Sequence, residues 1–337
     1  MKNLGPIRPF AFVLGVAAIA AACGPGGGGP GDGTASPTPT VSGSPTPPPT
    51  PTPPPETTLR FVAVGDTGTG EEPAYLVASA IGDKCAADGC DFVTLLGDNI
   101  YPDGVTSTTD SDWGPKVAVP YETLGIPLWA ILGNHDYGSN GDAFDRPDYE
   151  IAYGQTHPLW HMPARHYAHE AENTVLLALD TNLALFDQDD EVAKQTLFAA
   201  SVLDAADPRW KIALGHHPYL SNGDHGNAGS YSGHPVGSIG AGKHVKELYD
   251  AAICGKVDVM LTAHDHSRQV LPGTEACPTL NVVSGGGGEQ GTLPGSNPFL
   301  FQNRTNGFAY FVVTPDRLRI EMVDVSGTVD YVLELER

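Results

Sequence analysis

Five short apolar runs each end in a cluster of polar residues, and this feature constrains the fold more than any other. Each run is four to seven residues long and rich in β-branched or aromatic side chains, as in a buried strand. The clusters are Gly65-Asp66-Thr67-Gly68, Gly97-Asp98-Asn99-Ile100-Tyr101, Gly133-Asn134-His135-Asp136, Gly215-His216-His217-Pro218 and His264-Asp265-His266. Open α/β sheets bind ligands at the carboxyl ends of their strands. The five clusters are therefore predicted to form one site.

The periodicity of the remaining chain indicates an α/β fold with buried sheets. Strands are predicted at Leu59–Val64, Phe92–Leu96, Leu128–Leu132, Thr174–Leu179, Trp210–Leu214, Val257–Thr262, Leu280–Val283, Phe308–Val313 and Leu318–Val323. Helical patterns cover Pro73–Lys84, Glu191–Ala206 and Lys243–Cys254. The segments after residue 279 follow one another without helices between them, so part of the sheet structure is predicted to be antiparallel.

The N-terminal segment has the features of an export signal. Lys2 and Arg8 precede an apolar run, Phe10–Ala22, whose thirteen or so residues are too few to span a bilayer, which needs about 20. We therefore predict a signal peptide at residues 1–22. Cys23 follows small residues as in a bacterial lipobox, which predicts a lipid anchor on an exported lipoprotein. A plain secretory signal with an incidental cysteine is the alternative.

Residues 23–56 are predicted to be the lipidated cysteine and a linker, and residues 57–337 to be the folded domain. Residues 24–56 hold twelve prolines and eight glycines and cannot bury apolar surface. The whole formal charge of -22 falls on residues 57–337. Such an acidic domain is unsuited to nucleic acid or anionic lipid, because both need clustered Lys and Arg. An anionic substrate would need local positive charge, which a metal ion can supply.

Four cysteines follow Cys23, and an even number in an exported chain suggests disulfides. Three pairings are possible. Pairing Cys85 with Cys90 and Cys254 with Cys277 closes the shortest loops and is our prediction.

The polar clusters contain the ligand types of a binuclear metal centre. Seven of their side chains, two Asp, one Asn, one Tyr and three His, make the right set for two adjacent metals. Hard oxygens and imidazoles suit Fe, Zn or Mn, whereas the lack of thiolates argues against a structural zinc site. Ser284-Gly285-Gly286-Gly287-Gly288 also follows a predicted strand. It could cradle phosphate, or it could let the backbone pass close to the metals.

In order, these motifs resemble the calcineurin-like metallophosphoesterases and, within them, the small, tartrate-resistant purple acid phosphatases. Tyr101 stands three residues after Asp98, where purple acid phosphatases carry an iron-binding tyrosinate, and Asp66-Thr67-Gly68 lacks the histidine of most other members. The resemblance covers roughly residues 58–325. One departure is Ala263, which stands where the family has the Gly of Gly-His-Asp-His. The resemblance implies two mixed β-sheets packed as a sandwich and flanked by helices, in an α/β/β/α arrangement.

The resemblance also implies a role for each site residue. Fe(III) would be bound by Asp66, Tyr101 and His266, and a divalent ion (Zn, Fe or Mn) by Asn134, His216 and His264, with Asp98 bridging the two. His135 would contact the phosphoryl group, with Asn99 and Asn134 also binding substrate. His225, nine residues after His216, would be the catalytic proton donor. Asp136 is interpreted as a group that orients a ligand.

The predicted function is a membrane-tethered acid phosphatase that hydrolyses small phosphate monoesters. A hydroxide held by the metals would attack phosphorus in line, and His225 would protonate the leaving group. One alternative is a phosphodiesterase or nucleotide-directed hydrolase with the same metals. Another is a non-catalytic surface-binding lipoprotein. We expect membrane contact only through the lipid anchor, at the outer membrane, cell surface or periplasmic face, or else a secreted protein; the oligomeric state is left open.

Overall fold

The computed structural model describes residues 57–187, 190–205, 210–232 and 241–337. The predicted signal peptide at residues 1–22, the lipidated Cys23 and the linker to residue 56 lie outside the described residues. No helix in the described part of the chain has both the length and the apolar character needed to cross a bilayer.

Strands and helices alternate through the first two thirds of the domain, and strands dominate the last third. The strands are β1 (Leu59–Val64), β2 (Phe92–Leu96), β3 (Leu128–Ile131), β4 (Trp160–His161), β5 (Tyr167–Ala171), β6 (Thr174–Ala178), β7 (Trp210–Leu214), β8 (Val259–Thr262), β9 (Arg268–Leu271), β10 (Leu280–Ser284), β11 (Phe301–Asn303), β12 (Gly307–Val313), β13 (Arg317–Asp324) and β14 (Val329–Glu336). The α-helices are α1 (Glu72–Asp88), α2 (Pro147–Tyr153), α3 (Thr181–Phe186), α4 (Glu191–Ala205) and α5 (Lys243–Ala252).

The strands form two mixed sheets of seven strands each. The first has the order β14-β13-β12-β1-β2-β3-β4, and β1 to β4 within it are parallel. The second has the order β11-β9-β10-β8-β7-β6-β5, with β6, β7, β8 and β10 parallel. The late strands β12, β13 and β14 pair antiparallel, as predicted for segments joined without helices.

The side chains of β1 show how the layers are held together. Phe61 and Ala63 are fully buried in the apolar cluster between the two sheets. Val62 and Val64 point the other way, into the cluster that contains Val77 and Ile81 of α1. A third cluster joins the second sheet to α3, α4 and α5. Successive side chains of a strand face opposite sides of the sheet, so a strand buried on both faces reads as a continuous apolar run. The predicted sandwich of two sheets with flanking helices is confirmed.

Both predicted disulfides are present. Cys85 at the end of α1 is bonded to Cys90, and Cys254 just after α5 is bonded to Cys277. The first closes a short loop before β2, and the second ties α5 to the segment before β10. The pairing of nearest cysteines is therefore confirmed.

Candidate metal centre

The predicted ligands lie at the carboxyl ends of parallel strands from both sheets. Asp66 follows β1, Asp98 follows β2 and Asn134 follows β3, all in the first sheet. His216 follows β7 and His264 follows β8, both in the second sheet. The site therefore lies where the edges of the two sheets meet, and every ligand-bearing loop leaves a buried strand.

Three ligands occupy a backbone conformation that costs energy. The φ angles of Asp66, Asp98 and His264 are +58°, +52° and +67°, in the left-handed region that non-glycine residues rarely adopt. Gly97, just before Asp98, has a φ of +86°, and a Cβ there would lie 2.6 Å from the Gly133 nitrogen. Only a glycine lets these two ligand loops approach so closely. Strain of this kind is typical of functional sites.

One group of predicted ligands surrounds the hydroxyl of Tyr101. Its oxygen lies 2.9 Å from Asp98 Oδ2, 3.1 Å from Asp66 Oδ1 and 3.2 Å from His266 Nε2. The backbone amide of His264 donates to the other Asp66 oxygen at 2.9 Å, which fixes the carboxylate. Two carboxylates, a phenol oxygen and an imidazole nitrogen thus face one another.

A second group surrounds Nε2 of the buried His216. This nitrogen lies 3.1 Å from Asn134 Oδ1, 3.1 Å from His264 Nδ1 and 3.3 Å from Asp98 Oδ2. Ligand atoms of Asp98, His216 and His264 all lie within 4.8 Å of one another, close enough to share one ion. Asp98 Oδ2 belongs to both groups, because it is also the oxygen nearest to the Tyr101 hydroxyl.

The electrostatics of the Tyr101 side favour a nearby positive charge. Burial raises the pKa of Asp66 to about 6, although His266 and His216 pull it down. Burial and the carboxylates of Asp66 and Asp98 raise the pKa of Tyr101 well above its usual value. Within the described residues, no lysine or arginine forms a salt bridge with Asp66 or Asp98. Bound cations would reverse these shifts, so the donor set fits hard metal ions.

Nearby carboxylates raise the pKa values of two predicted histidine ligands, His216 and His266. Burial disfavours the charged form of His216, but Asp98 outweighs it and raises the pKa of this histidine to about 9. Burial likewise opposes protonation of His266, yet Asp66 and Glu289 raise its pKa to about 9. Burial also disfavours ionisation of Asp98, but His216 lowers the pKa of this carboxyl well below its usual range. Metal binding would displace these imidazole protons.

Both predicted catalytic histidines lie beside these groups. The His135 amide donates to Asp98 Oδ1 at 2.8 Å, and its Nδ1 lies 2.7 Å from the carbonyl of Pro102. The ring centroid of His225 lies 4.1 Å from that of His264. The structure therefore brings His135 to the Tyr101 side of the site and His225 to the His216 side.

Asn99 is placed differently from the substrate-binding role that the resemblance implies. Its side chain is fully buried, and its amide nitrogen lies within 3.2 Å of the Ile131 carbonyl, Asp136 Oδ2 and Glu150 Oε2. An amide engaged by three internal acceptors is held in the protein interior, and this placement favours a positioning role over the substrate contact that the resemblance implies. Asn134, by contrast, lies within the second ligand group.

Asp136 joins two of the ligand loops. Its Oδ1 accepts a hydrogen bond from the backbone amide of Asn99 at 2.9 Å. Asn99 is the residue directly after the predicted ligand Asp98. The Oδ2 of Asp136 accepts a hydrogen bond from the backbone amide of Gly133 at 2.7 Å. Gly133 is the residue directly before the predicted ligand Asn134. Burial and the Asp98 charge raise the pKa of Asp136 to about 7, although the hydrogen bond from Gly133 acts to lower it. This geometry supports the orienting role inferred for Asp136 from the sequence.

Two further acidic residues approach the site without having been predicted. Glu150 is fully buried against Asn99 and Asp136, and burial followed by the Asp136 charge raises its pKa well above the usual range. Glu289 Oε2 lies 3.3 Å from His266 Nδ1. Neither residue belongs to a motif of the sequence: Glu150 lies in α2, a helix that was not predicted, and Glu289 follows the run of glycines.

The glycine run passes close to the ligands. A Cβ at Gly285 would lie 2.5 Å from Asp66 Oδ2, and one at Gly287 would lie 2.3 Å from the Gly65 carbonyl oxygen. Of the two interpretations left open by the sequence, this proximity favours a loop that lets the backbone pass beside the ligands.

A family model described as calcineurin-like phosphoesterase matches residues 59–268. Tartrate-resistant acid phosphatase type 5 of Oryctolagus cuniculus is 28% identical over 312 residues, which cover 80% of this chain and 88% of that protein. Purple acid phosphatase 3 of Arabidopsis thaliana is 26% identical over 299 residues, covering 81% and 76%. The name of the first of these relatives is that of the tartrate-resistant type, which the sequence motifs resemble.

Solved structures share the fold. A purple acid phosphatase from yellow lupin seeds, PPD1, superposes with a TM-score of 0.62 at 18% identity, covering 84% of this chain and 54% of that one. GAP50, the anchor in the inner membrane complex of Plasmodium, superposes with a TM-score of 0.64 at 20% identity, covering 83% and 89%. At these identities the likeness concerns the fold.

Proposed function

The chain belongs to the calcineurin-like phosphoesterase family, and from this premise we propose that it is an exported acid phosphatase acting on small phosphate monoesters. The observation that carries the proposal is the position of Asp98 Oδ2, 2.9 Å from the Tyr101 hydroxyl and 3.3 Å from His216 Nε2. One carboxylate oxygen shared by two ligand groups is what a binuclear centre needs. The purple acid phosphatase relatives imply such a centre.

We assign the two groups to different ions. Asp66, Tyr101 and His266 offer two anionic oxygens and one nitrogen, a hard set that suits Fe(III). Asn134, His216 and His264 offer one neutral oxygen and two nitrogens, which suit divalent Zn, Fe or Mn. A pair of cations neutralises the charge of a phosphate ester and supplies a nucleophile below neutral pH.

The histidines of the chain bind the phosphoryl group and transfer the proton. The Nδ1–H of His135 is held by the Pro102 carbonyl at 2.7 Å, so its Nε2 is the nitrogen assigned to the phosphoryl group. The Nδ1 of His225 lies 2.9 Å from the Ser232 carbonyl, so its Nε2 is assigned to the leaving oxygen. A histidine positioned in this way typically contributes 10²–10⁴-fold in rate.

We place the catalytic domain, residues 57–337, outside the cytoplasm. The basic start, the short apolar run and Cys23 support export and a lipid anchor. Both disulfides of the domain are consistent with an oxidising compartment. Radiolabelled palmitate incorporation into the full chain, abolished by Cys23→Ser, tests the anchor; an exported but unlabelled chain would favour the plain secretory signal.

Metal analysis combined with a substrate panel tests the function. The purified full chain should contain iron and a second metal and should release phosphate from monoesters much faster than from diesters. Asp98→Asn should lose both metal and activity, whereas Asp83→Asn, at an exposed position of α1, should match the wild type. Faster diester cleavage would select the phosphodiesterase alternative. A metal-free protein that releases no phosphate would select the non-catalytic one.

A further inference from the structure

We propose that Glu289 is a positioning residue for the Tyr101 side of the centre. Its carboxylate holds Nδ1 of His266 and places a negative charge behind that ligand, which favours the more highly charged ion in this group. The inference rests on the proposed metal centre and adds a residue to it.

The orientation of the His266 ring is the first support. Its Nε2 faces inward, 3.2 Å from the Tyr101 hydroxyl and 3.6 Å from Asp66 Oδ1. Its Nδ1 faces outward, 3.3 Å from Glu289 Oε2. An N–H donated to a carboxylate fixes the tautomer, so the lone pair of Nε2 points into the site, and it increases the basicity of the ring as a ligand.

His216 provides a contrast with His266. His216 also directs Nε2 inward, but its Nδ1 lies 2.9 Å from the carbonyl oxygen of Leu96. That partner is neutral, whereas Glu289 carries a full negative charge. His266 and His216 therefore differ in the charge behind the imidazole, and the Tyr101 group also contains the phenol oxygen. Both differences place the extra negative charge on the same side.

The backbone around Glu289 is held in place, which distinguishes this contact from an ordinary surface ion pair. The side chain of Glu289 is 55% exposed, and exposed pairs usually contribute little because two mobile side chains must be ordered. Here the side-chain amide of Asn306 donates hydrogen bonds to the backbone carbonyls of Gly286 and Glu289, each at 3.1 Å. The Gly291 amide donates to the His266 carbonyl at 2.8 Å. The loop is thus fastened on both sides of the carboxylate.

The test measures the reduction potential and visible spectrum of the iron-loaded full chain. Glu289→Gln keeps an oxygen acceptor but removes the charge, so Fe(III) should become easier to reduce. We expect the ratio of reduced to oxidised iron at a fixed potential to rise about tenfold, which is about 59 mV for a one-electron couple. Glu289→Ala should shift the potential in the same direction. Glu275→Gln, at an exposed position before Cys277, is the matched control and should leave it unchanged.

The outcomes separate this inference from the proposed function. A coloured wild type whose potential is the same in Glu289→Gln overturns the role of Glu289 and leaves the metal centre standing. An equal shift in Glu275→Gln also overturns it, because the effect would then be one of overall charge. A wild type that binds no iron overturns the centre and the inference together.

Discussion

The carboxylate of Asp265 accepts a hydrogen bond from the backbone amide of His225 at 2.7 Å. Asp265 lies between His264 and His266 in the sequence, so the segment that carries two predicted ligands also holds the loop of the predicted proton donor. The same carboxylate lies 3.3 Å from the amide of Gly226. The position of His225 is thereby tied to the metal centre.

Replacing His225 should affect substrates according to their leaving groups. His225→Ala should slow esters with poor leaving groups, such as alkyl phosphates, by about 10²–10⁴-fold, because their alkoxide must be protonated as it departs. p-Nitrophenyl phosphate should lose far less, since its leaving group is stable without a proton. The kcat values of both esters measure the difference. Equal losses on the two substrates would remove His225 as the donor.

Asp265→Asn should also slow esters with poor leaving groups more than p-nitrophenyl phosphate, but by less than His225→Ala does. The amide retains one acceptor oxygen but places an NH₂ group near the amides of His225 and Gly226, so the loop should lose part of its support. We expect about a tenfold loss on alkyl phosphates, near the lower limit for a group that supports a functional residue. Metal content should stay at the wild-type value. Loss of metal with equal loss on both esters would show that Asp265 acts through the ligands instead.

Tyr101→Phe tests the assignment of the ferric ion. The ring of Tyr101 lies 4.4 Å from that of His135, a contact that phenylalanine keeps, whereas the oxygen between Asp66 and Asp98 is lost. The visible absorption expected of a tyrosinate bound to Fe(III) should disappear. Iron affinity should fall by more than the roughly 10–100-fold that removal of an outer partner costs. Absorption spectra and chelator competition measure both, and a mutant that stays coloured would reject the assignment.

Most of the buried strands could be predicted from the sequence because they are continuous apolar runs. Leu59–Val64, Phe92–Leu96 and Trp210–Leu214 have the predicted bounds. The strands that were missed are short or lie towards the sheet edges. Among them, β14 alternates exposed and half-buried residues. Strand β9 contains the fully buried Arg268, which forms an ion pair with Asp330. No sequence pattern predicts that pair.

The site could be predicted in outline because the carboxyl ends of parallel strands lie at the same edge of a sheet, and the structure brings the seven predicted ligands together there. The residues that hold these ligands in position could not be predicted. Asn99 follows Asp98 directly, yet its side chain turns inward because Asp136, Glu150 and the Ile131 carbonyl all accept from it. Such contacts join positions that are far apart in the sequence, so no local spacing reveals them.

The buried pair of Asp136 and Glu150 predicts a dependence of stability on pH. Because the pKa of Glu150 is raised in the folded state, folding retains a proton that the unfolded chain releases above its usual pKa of 4.5. Stability should therefore fall as pH rises from about 5 to 8. Glutamine can accept from Asn99 and donate to Asp136 without ionising, so Glu150→Gln should reduce this fall, with a gain of about 1–3 kcal/mol at pH 8. Urea unfolding of the metal-free chain at both pH values measures the gain, with Glu172→Gln as an exposed control. A variant as pH-dependent as the wild type would contradict the raised pKa.

The two disulfides should differ in what they contribute to stability. Cys254 and Cys277 are 23 residues apart, whereas Cys85 and Cys90 are 5 apart. A longer closed loop removes more conformational entropy from the unfolded chain. The expected contribution to the free energy of unfolding is about 3 kcal/mol for Cys254–Cys277 and about 2 kcal/mol for Cys85–Cys90. Paired Cys→Ser replacements compared by urea unfolding should therefore rank Cys254–Cys277 as the more costly to lose. Since Cys254 lies just after α5 rather than at the metal centre, metal content should be unchanged in both variants. The opposite ranking would show that strain or residual structure in the unfolded chain outweighs loop length.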